Sequence, residues 1–137
     1  MFHTPDLLLK RTGPASYRAE TPSGTVTFGG GSPSPMDTVA ASLGACLAIS
    51  ISKTLGVMRQ NLDDIEIRLS FERKEEEPKI FEYFNIHLIL RGEALSPAKV
   101  EKALHMSEES ICPVSVILGL SGAQMRTTFA IENKKVS

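Results

Sequence analysis

The stretch PMDTVAASLGACLAIS, residues 35 to 50, decides the fold that this sequence predicts. Its apolar residues recur every three or four positions as far as Met58, which predicts one long helix. Ser34 is a suitable N-cap, and Pro35 suits the first helical turn. No charged residue occurs between residues 38 and 52, so the helix is apolar almost all round. Such a helix belongs in the centre of a core.

Alternating apolar and polar residues predict strands after this helix. Residues 64–72 and 80–91 flank a charged turn and form a hairpin pattern, and a last strand is expected at about residues 125–132. Three short β-prone pieces separated by turn residues precede the helix. Ser96-Pro97 opens a second helix that runs to about Ser110. The sum is an α+β fold with antiparallel strands.

The length and charge of the chain exclude several functional classes. A chain of 137 residues is expected to form one domain, covering residues 1–137. A formal net charge of -1 gives no electrostatic case for nucleic acid or an anionic membrane surface. The three-Leu run near the N-terminus is too short for a signal peptide. The stretch from Val39 to Ile51 is nearly apolar but contains Ser and Gly, so it is not expected to span a bilayer. We therefore expect a cytoplasmic protein.

The chain has two cysteines and three histidines, in patterns that fit no common metal site. Neither C-x-x-C nor H-x-x-x-H spacing occurs, so a zinc site is not expected. The glycine-rich segment GGGSPSP, residues 29–35, lacks the Lys of a phosphate-binding loop and is interpreted as a flexible connector. In a reducing compartment, two cysteines are either inert core thiols or a redox couple.

The position of each cysteine suggests a different role. Cys112 stands directly before Pro113, which predicts that it caps a helix, where backbone N–H groups and the helix dipole favour the thiolate. Cys46 lies in the middle of the long helix, the usual setting of a buried inert thiol. As a pair, one could be oxidised to sulfenic acid and the other could condense with it to a disulfide. That requires alpha carbons within about 7 Å.

The two cysteine contexts together, PSPMDTVAASLGAC and ICPVSVIL, resemble the OsmC/Ohr family of thiol-dependent peroxidases. The likeness runs from about Gly29 to the C-terminus. It implies an OsmC-like fold, in which a long central buried helix and a second helix pack against antiparallel sheets of an intertwined homodimer. It further implies active sites at the subunit interface, with Cys46 peroxidatic and Cys112 resolving. The implied substrates are organic hydroperoxides, with dithiol or lipoyl-type reductants and no metal or flavin.

Two further site residues follow from the resemblance. The family peroxidases carry a Glu ten positions before the helix Cys, where this chain has Met36; the acid here is Asp37, about 100° further round the helix. The family also uses an N-terminal Arg to stabilise the thiolate, and Arg18 is the candidate, with Arg11 second. A cation near Cys46 matters because burial alone disfavours the thiolate.

Three functions stay open at this point. The first is a peroxidase that uses Cys46 and Cys112. The second is a redox sensor or a small-molecule-binding module on the same scaffold, which the replacement of Glu by Met36 favours. The third is a structural dimer with two inert core cysteines.

Overall fold

A computed structural model describes residues 7 to 133, in one unit up to Val39 and a second from Ala40 onward. The first unit contains a three-stranded antiparallel sheet, in the order β1-β2-β3. Its strands are β1 (Leu8–Gly13), β2 (Ser16–Thr21) and β3 (Gly24–Phe28). The three β-prone pieces expected before the long helix are thus confirmed as strands. The expectation of a single domain over residues 1–137 stays a prediction.

The glycine-rich segment after β3 forms a defined turn. Gly29, Gly30 and Gly31 all have positive φ, and the Gly29 N–H donates to the Pro33 carbonyl at 3.2 Å. A Cβ at Gly29 would lie 2.0 Å from the Ala15 carbonyl oxygen, so the backbone itself occupies that space. The glycines are therefore required by conformation and close approach. This differs from the flexible connector expected from the sequence.

The long helix is confirmed as α1 (Pro35–Val57), capped by a hydrogen bond from the Asp37 N–H to Ser34 Oγ at 3.2 Å. By length and composition α1 could cross a membrane, with a mean hydropathy of 1.5. The stretch from Val39 to Ile51, taken alone, is not expected to span a bilayer, whereas the whole helix is long and apolar enough. A core helix passes the same test, and 33% of the apolar window is buried within the chain.

The second unit is built on a sheet in the order β4-β5-β6, where β4 is Asn61–Arg73, β5 is Phe81–Glu93 and β6 is Gln124–Asn133. The β4 and β5 strands are antiparallel, as expected for a hairpin. The β6 strand pairs with β5 in parallel, so the prediction of purely antiparallel strands is wrong for this edge. The chain between β5 and β6 is long enough to return to the same end of the sheet, which a parallel pair requires.

The connection from β5 to β6 contains two helices. The first, α2 (Pro97–Met106), begins at the predicted Ser96 cap, whose Oγ accepts from the Lys99 N–H at 3.4 Å. A π-helical turn, Ser107–Ile111, follows it where the sequence predicted a continued helix. The second helix, α3 (Pro113–Leu120), begins directly after Cys112. This connection therefore carries the second cysteine.

Helices cover one face of the β4-β5-β6 sheet. Gly44 of α1 lies over the Ile67 and Leu69 side chains, since a Cβ there would contact both at about 4 Å. Phe84 on the same face is fully buried, and its ring centroid lies 4.6 Å from that of Phe81. The α1 residues that are buried are Ala40, Leu43, Leu47, Ser50, Ile51, Thr54 and Leu55. The core thus forms between α1 and the sheet. Cys46 lies on α1, the helix that forms one side of this core.

Truncation of Phe84 tests where the core lies. We expect Phe84→Ala to lower the free energy of unfolding by about 3–5 kcal/mol, because it leaves a cavity among packed rings. Asn85→Ala is the matched control, since Asn85 is the next residue of β5 and is exposed; its effect should stay within about 0.5 kcal/mol. Urea unfolding of both variants measures the difference. Equal effects would contradict the assignment of the two faces.

Candidate functional site

Cys112 caps α3, as the sequence predicted. Its backbone is extended, with φ -81° and ψ 106°, and its Sγ accepts a hydrogen bond from the Ser115 N–H at 3.4 Å. Pro113 takes the first helical position, which needs no N–H donor. The side chain is fully buried. Local sequence thus fixes the sulfur at the N-terminal end of a helix.

Burial reverses the effect that the helix end was expected to have on Cys112. Loss of hydration, the largest cause, and hydrogen bonding to the Cys46 side chain both raise the pKa of the Cys112 thiol, and the net value is about 11. The N–H groups of Ser115 and Val114 lower it, as a helix cap should, but they do not compensate. The expected effect of the cap, which favours the thiolate, is therefore present but smaller than the effect of burial. At neutral pH this residue keeps its proton.

Cys46 is more accessible than its place in the long helix suggested. It is half-buried and lines a cavity of about 470 Å³. The walls come from α1, which also contributes Ile49 and Lys53, and from the chain on either side of Cys112, which contributes Ile111 and Pro113. Cys46 is therefore not fully buried, unlike the core thiol that its place in the helix suggested.

The fold brings the two cysteines together. Hydrogen bonding between their side chains places the sulfur atoms next to each other, and both thiols are free. This proximity is what condensation of a sulfenic acid with a second thiol requires. Cys46 opens to the cavity while Cys112 lies behind it, fully buried. The two positions are therefore chemically unequal.

The backbone around Cys112 is held by contacts that sequence reasoning missed. The Cys112 N–H donates to the Ser107 carbonyl at 2.8 Å, and Ser115 Oγ donates to the Glu108 carbonyl at 3.1 Å. The Glu108 carboxyl accepts from the Thr127 hydroxyl on β6, and burial raises the pKa of Glu108. The π-helical turn is thus anchored to α3 and to the sheet. Of the contacts at Cys112, the sequence indicates only the capping bond from the Ser115 N–H to Cys112 Sγ, because Ser115 is the third residue after the cap.

The two remaining predicted site residues lie in the first unit. Asp37 is in the first turn of α1 with an exposed side chain, and Met36 beside it is half-buried. Arg18 lies on β2, where its guanidinium is 3.6 Å from the Glu20 carboxylate and about half exposed. Their proposed roles at Cys46 stay predictions.

Lys53 and Ile49 are the cavity residues that sequence reasoning missed. The available signal was helical spacing, because residues three and seven positions after Cys46 share its side of the helix. Within residues 7–133, no group of three or more His, Cys, Asp or Glu side chains is arranged to hold a metal ion.

The family of the chain follows from comparison with known proteins. Residues 28–128 match the family model described as OsmC-like protein, which is more than half of the chain. The chain therefore belongs to the OsmC-like protein family. This confirms the resemblance found in the sequence.

Individual relatives agree with that assignment. Protein YhfA of Escherichia coli strain K12 is 40% identical over 86 residues, 63% of this chain and 64% of YhfA, so the match spans less than two thirds of that relative. A hypothetical protein from Aquifex aeolicus has a similar structure, with a TM-score of 0.88, 24% identity and coverage of 98% of this chain and 100% of that one. An organic hydroperoxide resistance protein OsmC from Legionella pneumophila has a TM-score of 0.70, 18% identity and coverage of 95% and 98%. The two structures show the same fold.

The raised pKa of Cys112 predicts a stability change at alkaline pH. The unfolded chain releases the Cys112 proton near the ordinary value of 9.0 and the folded protein near 11, so the folded state binds more protons between them. The free energy of unfolding should therefore fall between pH 9 and 11, by up to about 2 kcal/mol. Urea unfolding across this range measures the slope. Cys112→Ala is the control and should lose this part of the slope; equal slopes would contradict the assignment.

Proposed function

We propose that this protein is a thiol-dependent peroxidase that reduces organic hydroperoxides through Cys46 and Cys112. The observation that supports this most is the adjacent pair of free thiols, of which Cys46 opens to a cavity. Membership of the OsmC-like family, and the fold shared with an organic hydroperoxide resistance protein, indicate a role in redox chemistry or peroxide resistance. The specific activity is the proposal.

The geometry favours Cys46 as the attacking residue. Cys46 lines the cavity, whereas Cys112 is fully buried and holds its proton with a pKa of about 11. The Cys46 thiolate attacks the outer oxygen of the hydroperoxide, and the O–O bond breaks. The alkoxide leaves and takes a proton, giving an alcohol and Cys46 sulfenic acid. The sulfur has then lost two electrons to the peroxide.

Cys112 resolves the sulfenic acid. Its sulfur attacks the Cys46 sulfur, the S–O bond breaks, and the Cys112 proton leaves with the hydroxide as water. The negative charge on Cys46 is one of the influences that raise the pKa of Cys112. Sulfenic acid is neutral, so that influence ends once Cys46 is oxidised. Burial, the largest influence, stays, so oxidation of Cys46 removes only part of what raises the pKa of Cys112.

Reduction of the disulfide completes the cycle. An external dithiol or lipoyl-type reductant supplies two electrons and two protons by thiol–disulfide exchange. The reductant enters through the cavity that Cys46 lines and attacks the Cys46 sulfur, because Cys112 is fully buried. This scheme needs neither a metal nor a flavin. Within it, we assign Arg18 to stabilisation of the thiolate and Asp37 to the role of the family Glu, whose position Met36 occupies.

Exposed apolar side chains support a homodimer with active sites at its interface. On α1 and α3, Ile49 and Ile117 are 57% and 65% exposed, and Leu120 is 84% exposed. In the first unit, the β1 residues Leu8 and Leu9 are also about half exposed. Apolar area of this extent favours association with a second copy. We further propose that the protein is cytoplasmic.

A second candidate is a redox sensor or a small-molecule-binding module on the same scaffold. Two observations favour it: Met36 replaces the family Glu, and the cavity of about 470 Å³ has the size of a small-ligand pocket. A sensor would react once per chain. A peroxidase would continue to consume hydroperoxide while dithiol is in excess.

Replacement of each cysteine tests the peroxidase proposal. With cumene hydroperoxide and excess dihydrolipoamide, we expect Cys46→Ser to lose turnover, because the nucleophile is gone. Without dithiol, Cys112→Ser should stop at Cys46 sulfenic acid after one equivalent of hydroperoxide, and a second equivalent should convert it to sulfinic acid, since resolution is lost. Peroxide assays and intact-protein mass measure both outcomes. Turnover of Cys46→Ser at the wild-type rate would rule out the mechanism, and one equivalent consumed by the wild type would favour the sensor.

The dimer proposal is tested by mass in solution. Sedimentation should give about twice the chain mass of 14.9 kDa. We expect Ile117→Glu to shift the equilibrium toward monomer by more than tenfold, because it would bury an unpaired charge. Ile117→Val keeps the side chain apolar and is the control. A monomeric wild-type protein would contradict the proposal.

A further inference from the structure

Lys53 shares the cavity of Cys46. It lies seven residues further along α1, which places it two turns away on the same side of the helix. Its side chain is exposed, and within residues 7–133 no acidic side chain forms a salt bridge with it. The ammonium group is therefore available to a ligand.

The distance between Lys53 and Cys46 limits the size of such a ligand. Seven residues of helix correspond to a rise of about 10 Å. Helical side chains tilt toward the N-terminus, so the long Lys53 side chain leans toward Cys46 and shortens the separation. An ammonium and a sulfur on the order of 6–10 Å apart suit a molecule whose charged and reacting ends are separated by about five to eight bonds.

The rest of the cavity fits the middle of that molecule. Between the two ends the wall contains Ile49, and Ile111 and Pro113 face it from the other element. Lys53 is the one charged residue among those that line the cavity in the described chain, since no Asp or Glu belongs to its walls. The cavity thus combines a nucleophile, an apolar wall and a single positive charge.

We propose that Lys53 is an anion-binding residue that selects, for reaction at Cys46, small hydroperoxides carrying a carboxylate at their far end. This rests on the proposed function for the identity of the reacting group. The carboxylate pairs with the ammonium, the hydrocarbon lies against Ile49, and the hydroperoxide reaches the Cys46 sulfur. Lys53 is a specificity residue and takes no part in breaking the O–O bond.

A matched pair of hydroperoxides tests the selection. Cumene hydroperoxide and its para-carboxylate differ by one charge on the side of the ring opposite the peroxide. For Lys53→Met we expect kcat/KM for the carboxylate to fall about threefold to fivefold, the range of an exposed ion pair. The value for cumene hydroperoxide should fall less, so the ratio of the two kcat/KM values falls. Lys53→Arg should retain the preference, and added salt should weaken it.

Lys99→Met is the matched control, because Lys99 is an exposed lysine on α2 and does not line the cavity. It should leave both substrates unchanged. An equal loss for both hydroperoxides in Lys53→Met, or an equal loss in Lys99→Met, would overturn the assignment.

A second measurement separates this inference from the peroxidase proposal. Alkylation of Cys46 by N-ethylmaleimide and by 4-maleimidobutyrate compares a neutral with an anionic reagent without any peroxide. The ratio of anionic to neutral rates, followed by mass spectrometry, should fall threefold to fivefold in Lys53→Met and stay constant in Lys99→Met. If this ratio falls while neither hydroperoxide is turned over, the anion site stands and the peroxidase proposal fails. If the ratio does not change, the anion site is wrong.

Discussion

The interaction on which the site depends is that between the Cys46 and Cys112 side chains. It joins the middle of α1 to the beginning of α3, two elements that are far apart in the sequence. Both neighbourhoods are adapted to it. On one side, small residues let α1 lie close to the sheet, and on the other, backbone N–H groups hold the Cys112 sulfur in place. The two cysteines thus form a tertiary contact between α1 and α3 and are also the two thiols of the candidate site.

The segment that carries Cys112 is more constrained than a simple helix–helix linker. A π-helical turn leads into this segment. Such turns are rare in proteins, and those that occur are often found at functional sites. Here the turn is tied to α3 through Ser115 and to β6 through Glu108 and Thr127. Because the backbone is fixed on both sides, the buried thiol keeps a constant position beside Cys46.

The sequence predicted local features well and non-local electrostatics poorly. The caps at Ser34, Ser96 and Cys112 follow from short patterns, and each is found. The parallel pairing of β6 with β5 could not be predicted from the residues of β6. Apolar and polar residues alternate in the same way in a parallel and in an antiparallel edge strand. The same limit applies to the Cys112 thiol. Its cap was visible in the sequence, but the loss of hydration that outweighs the cap depends on what folds around it.

The topology also makes the stability of the folded protein depend on the oxidation state of its two cysteines. The β5–β6 connection places Cys112 far along the chain from Cys46, so a disulfide between them would close a large covalent loop. Closing a loop of this size restricts the unfolded chain and stabilises the folded one by about 4 kcal/mol. The oxidised protein would then resist unfolding better than the reduced one. Part of the driving force for disulfide formation would thus come from the fold, and denaturation would make the bond easier to reduce.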